Sequence, residues 1–483
     1  AGDLYDISFM PVTLPYKEAE APLGIHSLFS HSEESASAGY YQVRLKDYNI
    51  NVELTATERC GIQRYTFPKA DAAVFLNLRK AMNWDFTNDS HIEVVDSVTV
   101  QGYRYSDGWA RDQRLYFRTR FSKPFVVMQL DTAAIEKDGK RIGTSVIARF
   151  DFQTKEGEQI LVSTAISGVS MEGAARNLAA EVPDDDFDKY LAAVQDDWNK
   201  QLSRIEIKCD DRDEKVKFYT ALYHSMIAPT IYSDVDGAYY GPDKQVHRAE
   251  SWTNYSTFSL WDTFRAWNPL MTLLDAGLVN DMVNSFLDIY DASGELPIWP
   301  LSAGETGTMI GYHSASVIAD AYLKGIRGFD AEKALEAMVT SAEKNEKGAD
   351  CYVRNGFIPS NIKRESISCL LEFAYDDWCI ARMAQEMEKE DICKTFIARS
   401  QNYVNVFDGA TKFFRPKRMD GNWEAPFKPL EVGRAYTEAT AWQYRFFVPH
   451  DVNGMMQLFG GKDDFVVALD SIFSSDLKLE GEL

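Results

Sequence analysis

Glu438 is the clearest place to look for chemistry in this chain. The segment Arg434-Ala435-Tyr436-Thr437-Glu438-Ala439-Thr440-Ala441-Trp442-Gln443-Tyr444 sets one acid among apolar and aromatic residues. Desolvation disfavours the charged form of a carboxyl group, so such neighbours are expected to keep a proton on it near neutral pH. That is what a general acid toward a glycosidic oxygen requires; the competing reading is an ion pair with Arg434, one helical turn away. A second cluster, Trp261-Asp262-Thr263-Phe264-Arg265, places a carboxylate beside an indole. Such a pair can hold a hexose, the carboxylate accepting two hydroxyls and the ring lying beside the sugar. Pattern alone favours the other reading of Asp262, a helix N-cap that needs no ligand. A third is the Gly- and Pro-rich stretch 294–313, whose Glu305 and His313 are not explained by loop structure alone.

Other chemistries find little support. The six cysteines show no CxxC spacing, so buried free thiols are expected rather than a zinc knuckle or a redox couple. The seven histidines form no HExxH or HxH pattern. Asp234-Val235-Asp236-Gly237 resembles only the start of a calcium loop and lacks its remaining ligand positions. Asp376 and Asp377 fall within a strongly periodic helix and read as helix-face or structural residues. With 51 Lys and Arg against 73 Asp and Glu, the net charge of −22 repels phosphate, which argues against nucleic acid or anionic lipid as the main partner. No run approaches the roughly 20 apolar residues of a membrane span.

Two kinds of element must position these residues. The 483 residues are enough for two to four domains or one large one. The first third alternates at period two, as at Tyr41, Val43 and Leu45 and at Ile50, Val52 and Leu54. Further strands are expected over 91–105, 115–121, 125–130, 144–152 and 160–166, separated by turn signals, which indicates an antiparallel sandwich. Near Ser170 the period changes. Helices are expected over 174–180 and Phe187–Leu202, the second opening on Asp184, Asp185 and Asp186, where acids suit the helix dipole. Further on, helical patterns recur, among them 260–273, 279–290, 314–324, 366–388, 392–407, 437–446 and Val452–Phe459. In 366–388 the apolar residues recur at steps of three and four, as a stripe facing a core. Sequential helix pairs with long aromatic loops fit an α/α toroid better than a plain bundle.

A set of stretches, in order along nearly the whole chain, carries a resemblance. They include Phe29-Ser30-His31-Ser32-Glu33-Glu34, Arg64-Tyr65-Thr66-Phe67-Pro68, Gly108-Trp109-Ala110, Trp261-Asp262-Thr263-Phe264-Arg265, Tyr436-Thr437-Glu438, Ala441-Trp442-Gln443-Tyr444 and Val448-Pro449-His450-Asp451-Val452. Together they resemble the calcium-dependent exo-acting α-mannosidases of glycoside hydrolase family 92, of the type common in Bacteroidetes. The resemblance implies a multidomain β and α fold, an N-terminal antiparallel β-sandwich followed by an (α/α)6 toroid that is the catalytic domain. It places the sandwich at 1–172, a helical linker at 173–205 and the toroid at 206–483, with part of each family terminus expected to be missing.

The implied activity is hydrolysis of terminal non-reducing α-mannose with inversion, using a Glu acid, an Asp base and bound Ca2+. By position Glu438 corresponds to the acid, Trp261 and Asp262 to the subsite holding the departing mannose, and Trp109 to a contribution from the sandwich. The implied partners are mannose-containing glycans, N-glycans or yeast-type mannan, and the implied location is the periplasm, the cell surface or the exterior. The chain departs from the family pattern at Ala38, at Asn268-Pro269-Leu270 (often His-Pro-Leu) and at Ala439-Thr440 (often Gly-Asn). The family's Gly-Asn-Glu-Pro segment and Asp-rich base motif are not found, so the base and the Ca2+ ligands are expected outside this chain. The alternative is a non-catalytic carbohydrate-binding protein on the same scaffold. The inverting disaccharide phosphorylases share the architecture, but their motif set is not seen.

Overall fold

Alternating burial along the strands shows why the first third becomes sheet. In the strand 99–107, Val100, Gly102, Arg104 and Ser106 face inward while their neighbours remain half-exposed. A pleated strand sends successive side chains to opposite faces, so this pattern buries one face. The computed structural model describes residues 6–16, 24–79, 85–137, 140–344, 348–474 and 476–481. The chain divides into two compact units, Ala1–Thr257 with Leu301–Thr306, and Phe258–Pro300 with Gly307–Leu483.

The first unit contains β1 (Ser8–Thr13), β2 (Glu34–Ser37), β3 (Tyr40–Leu45), β4 (Ile50–Ala56), β5 (Cys60–Phe67), β6 (Ala70–Asn77), β7 (Phe86–Val94), β8 (Thr99–Asp107), β9 (Gln113–Phe121), β10 (Val127–Lys137), β11 (Lys140–Thr154) and β12 (Glu158–Ser167). A four-stranded sheet runs β1-β6-β11-β10 and an eight-stranded one β2-β3-β4-β5-β12-β9-β8-β7. One apolar core joins them, with Val12, Val74 and Phe150 from the smaller sheet and Ile50, Tyr65, Phe117 and Val162 from the larger. This is the expected antiparallel sandwich. Arg104 points into it, its guanidinium satisfied by Asp6 at 2.5 Å, Asp85 at 2.8 Å and Thr87 at 3.0 Å.

One local expectation changes here, and one strand lies where no strand was expected. Residues 91–105 are not one strand but parts of β7 and β8, turned at Asp96, whose side chain accepts from the Val98 N–H at 2.9 Å. The strand β6, between β1 and β11 in its sheet, shows no alternation, because Ala72 to Leu76 are buried on both faces. The helices that follow are α1 (Met171–Glu181), α2 (Phe187–Leu202) and α3 (Arg212–His224). As expected, the acidic run starts α2, with Asp186 accepting from the Lys189 N–H at 3.1 Å. Contacts place α1 against β9 and β12, and α2 against β4 and β5. Asp234 is buried and accepts from Ser167 and Asn177, each at 2.8 Å, so it locks a turn.

The second unit is helical: α4 (Leu260–Thr263), α5 (Trp267–Leu274), α6 (Ala276–Ser293), α7 (Ser314–Leu323), α8 (Ala331–Lys344), α9 (Ala349–Asn355), α10 (Ser366–Glu386), α11 (Glu390–Arg399), α12 (Ala441–Tyr444), α13 (Val452–Phe459) and α14 (Lys462–Ser474). The run α5 to α9 packs neighbour on neighbour, as do α10 with α11 and α13 with α14, and α10 also meets α7 and α8. The fold is thus an antiparallel β domain followed by a helical domain. The helix expected over 260–273 breaks between α4 and α5 because Pro269 has no N–H for the Arg265 carbonyl and belongs in a helix's first turn. The helix expected over 392–407 stops at Arg399 and gives way to a 3-10 turn at Asn402–Val406. All six cysteines are free, and four of them are buried.

The helix α10 is more deeply buried than a single stripe implies, with 16 of its 21 residues inaccessible, so its acids Glu372, Asp376 and Asp377 lie inside the protein. Asp377 is held by Arg399 at 2.9 and 3.0 Å, Tyr312 at 2.6 Å and Tyr352 at 2.9 Å. Burial pushes its carboxyl up to about 6 against these partners. Its role is structural, as expected.

Candidate active site

The segment around Glu438 is held on both sides by backbone bonds. The Tyr436 hydroxyl donates to the Phe414 carbonyl at 2.6 Å, and the Thr437 N–H donates to Ser368 Oγ at 2.9 Å. Beyond it, the start of α12 is closed by a cap in which Gln443 Oε1 accepts from the Thr440 N–H at 2.9 Å. This cap is why the helix expected over 437–446 shrinks to four residues: the chain is committed to a turn up to Thr440.

Inside that turn Glu438 adopts φ +48, a left-handed conformation that costs a non-glycine residue ~1–2 kcal/mol. Two more such residues lie close by, Glu365 at φ +59 and Arg434 at φ +55, joined by the Glu365 N–H to Arg434 O bond at 2.6 Å. Side chains from Ala435 to Thr437 and from Ala439 to Ala441 are buried, but Glu438 is exposed. The expectation of a carboxyl desolvated by its sequence neighbours is therefore corrected: the left-handed turn buries the neighbours and directs the acid outward. The alternative ion pair does not form either. Arg434 pairs with Glu431 at 3.4 Å, and Glu438 has no hydrogen-bonding partner among the described residues.

Asp262 is also exposed, but its orientation is fixed. The Trp299 indole N–H donates to Ser259 Oγ at 2.7 Å, and the Ser259 hydroxyl donates to Asp262. Ser259, not Asp262, is the N-cap of α4, so the capping reading of Asp262 does not describe its place. The adjoining Trp261 is half-buried, and its indole Nε1 has no hydrogen-bond partner among the described residues. Its ring lies 5.5 Å from the Arg265 guanidinium.

Beneath this motif lies a charged cluster that sequence reasoning did not find. Glu372 on α10 is fully buried; it accepts from the Tyr444 hydroxyl at 3.2 Å and faces Arg265 at 3.8 Å. His313 Nε2 stands 3.2 Å from Glu372 Oε2 as a charge contact without hydrogen-bond geometry, while His313 Nδ1 bonds Asp376 at 2.8 Å. Burial works against a charged His313, but the carboxylates of Asp376 and Glu372 outweigh it and hold the imidazolium up to about 9. Phe264 stacks on that imidazole with centroids 3.9 Å apart. Ser368, Glu372 and Asp376 are four residues apart and so share one face of α10. That polar row within an apolar helix was the available signal.

Trp109 belongs to the first unit, at the tip of the β8–β9 hairpin, half-buried. The loop is shaped by the Gly108 N–H to Ala110 O bond at 3.0 Å and by Asp107 accepting from the Asp112 N–H at 2.7 Å. Glu305 groups with the same unit, whereas His313 lies in the other.

A sheet domain joined to a helical domain that displays carboxylates beside indoles on its loops is an arrangement suited to binding sugars. Two family descriptions match in tandem: the glycosyl hydrolase family 92 N-terminal domain over residues 1–167 and the family 92 catalytic domain over residues 173–482. The chain belongs to glycosyl hydrolase family 92. A family 92 α-mannosidase from Bacteroides thetaiotaomicron, solved in complex with mannoimidazole, is similar over 98% of this chain and 65% of its own, at 35% identity and TM-score 0.92. A family 92 inverting mannosidase from the same organism is similar over 96% of this chain and 64% of its own, at 31% identity and TM-score 0.87. An uncharacterized secreted glycosidase of Arthroderma benhamiae is 23% identical over 92% of this chain and 61% of its own. The chain thus spans a little under two thirds of the length of these relatives.

Proposed function

We propose that this protein is an exo-acting α-mannosidase that removes terminal non-reducing mannose from glycans with inversion. The observation that carries this reading is the similarity, over almost all of the chain, to solved family 92 α-mannosidases, one of them described as inverting. In this reading Glu438 is the general acid and protonates the departing glycosidic oxygen. A water attacks the anomeric carbon from the opposite face, which in inverting enzymes calls for two carboxyl groups roughly 6.5–9.5 Å apart. Asp262, aimed by Ser259, accepts hydroxyls of the departing mannose, with the Trp261 ring beside it. Backbone strain at Glu438 supports this role, because such strain gathers where a side chain must be presented in one direction. Bound sugar would supply the desolvation that the free loop lacks.

Mannose-rich glycans, N-glycans or yeast-type mannan, are the substrates we propose. The proposed location is outside the cytoplasm, in line with the secreted fungal relative; no described helix is long and apolar enough to cross a membrane. Incubation with an α-mannobiose, followed by proton NMR, is expected to show β-mannose as the first product. Binding of the sugar with no mannose released overturns the reading in favour of a non-catalytic carbohydrate-binding protein.

Ca2+ enters only as a proposed requirement for turnover. No group of three or more His, Cys, Asp or Glu side chains suited to a metal occurs among the described residues, so these do not fit a calcium cage and no step is assigned to the ion. Turnover is expected to disappear on dialysis against EDTA and to return with added CaCl2. Full activity after chelation removes calcium from the proposal.

A further inference from the structure

The start of α10 opens on a cavity of about 200 Å³ within the second unit, one wall of which is Arg434 to Tyr436 of the segment that leads to Glu438. That volume is several times the ~30 Å³ share of one water, so it admits a small charged group together with part of whatever carries it. Its wall carries four cations, Lys363, Arg364, Lys428 and Arg434, against two carboxylates, Glu424 and Glu431. One carboxylate is already spent, since Glu431 pairs with Arg434 at 3.4 Å. Lys363, Arg364 and Lys428 have no ion-pair partner among the described residues. In a chain of net charge −22, three unpaired cations around one hollow are out of keeping with the rest of the molecule.

Two hydroxyls in the same wall also lack partners. Ser366 is fully buried, and neither its Oγ nor that of Ser360 meets any hydrogen-bond partner among the described residues. A buried hydroxyl left unpaired is costly, so a partner entering the cavity is the natural way to satisfy it. Ser366 is also the first residue of a 21-residue helix whose N-cap, Glu365, makes no side-chain capping bond. The N-terminal end of such a helix carries partial positive charge and favours an anion. Cations and free hydroxyl donors therefore converge on one space, whereas the Ile367 and Ser368 N–H groups of the helix start already donate to the Ala435 carbonyl at 3.1 and 3.2 Å.

We propose that this cavity binds a tetrahedral oxyanion, a phosphate, either free or esterified to a sugar. The Ser366 and Ser360 hydroxyls donate to its oxygens, and Lys363, Arg364 and Lys428 balance its charge. The site does not depend on the proposed hydrolysis, because none of these side chains is given a part in it.

The test is isothermal titration of the protein at low ionic strength with inorganic phosphate, mannose 6-phosphate and mannose. Saturable binding of inorganic phosphate is expected, weakened roughly tenfold or more by Lys363→Ala, as for loss of one charge-assisted hydrogen bond. Ser366→Ala, which removes no existing hydrogen bond and places a good helix former, is expected to weaken it without lowering Tm. Lys428→Ala, at an exposed position, is a second variant that leaves folding intact. Equal affinity for inorganic phosphate and the sugar phosphate identifies the free ion as the ligand; tighter binding of the sugar phosphate identifies the ester. No saturable binding of either phosphate, or binding that all three variants leave unchanged, overturns the proposal.

Discussion

Replacing Glu438 with Gln is expected to lower turnover of α-mannosides with poor leaving groups by about 10²–10⁴, the usual contribution of a positioned general acid. The amide keeps the size and shape of the side chain but cannot deliver a proton. The loss should shrink for activated aryl mannosides, whose leaving groups depart without protonation. Thermal stability should not change, because the carboxylate is exposed and bonds to nothing among the described residues. That separation makes the experiment decisive: a folded variant that still cleaves mannobiose at the wild-type rate removes Glu438 from the acid role. Steady-state kinetics on both substrate types, with a melting curve, give all the required readings.

His313→Leu tests the charged cluster beneath the Trp261–Arg265 motif. It strips the cation from between Glu372 and Asp376, both fully buried, and removing one member of a buried ionic group typically costs ~3–5 kcal/mol. Urea unfolding of the variant should show a loss of that order. Wild-type protein offers an independent check should the variant fail to fold. The imidazole's folded pKa, about 9, lies above its ordinary value of 6.5, so the native state binds the proton more tightly than the unfolded chain. The stabilisation is therefore complete below about pH 6.5 and is lost as pH rises through about 9. Unfolding free energy that stays flat between those values means His313 is neutral in the native protein. Because Phe264 stacks on this ring, the variant should also raise KM by loosening the segment that carries Asp262.

Much of the architecture was readable because it rests on periodicity. Alternation exposed the strands of the larger sheet, and steps of three and four exposed α10. Where burial covers both faces the signal vanishes, so β6, apolar from Ala72 to Leu76, gave no alternation to read. The break between α4 and α5 was legible in Pro269 and needed only the rule that proline sits in a helix's first turn.

The candidate site was legible in residue identity and not in direction. Trp261, Asp262 and Glu438 stand out by type, but sequence neighbours do not decide which way a side chain points. At Glu438 a left-handed backbone sends the carboxyl away from the residues that flank it. Glu372 was missed because its partners, Arg265, His313 and Tyr444, come from three distant stretches of chain.

One rod serves both halves of the presumed chemistry. Through Ser368 the helix α10 grips the turn that presents Glu438, and one turn further on, through Glu372, it meets Arg265 in the segment bearing Asp262. The two attachments are about 6 Å apart along the axis, given a rise of ~1.5 Å per residue. A slide or twist of this shaft would drag the Glu438 turn and the Asp262 segment together, so their spacing is gauged by rigid backbone rather than by loops.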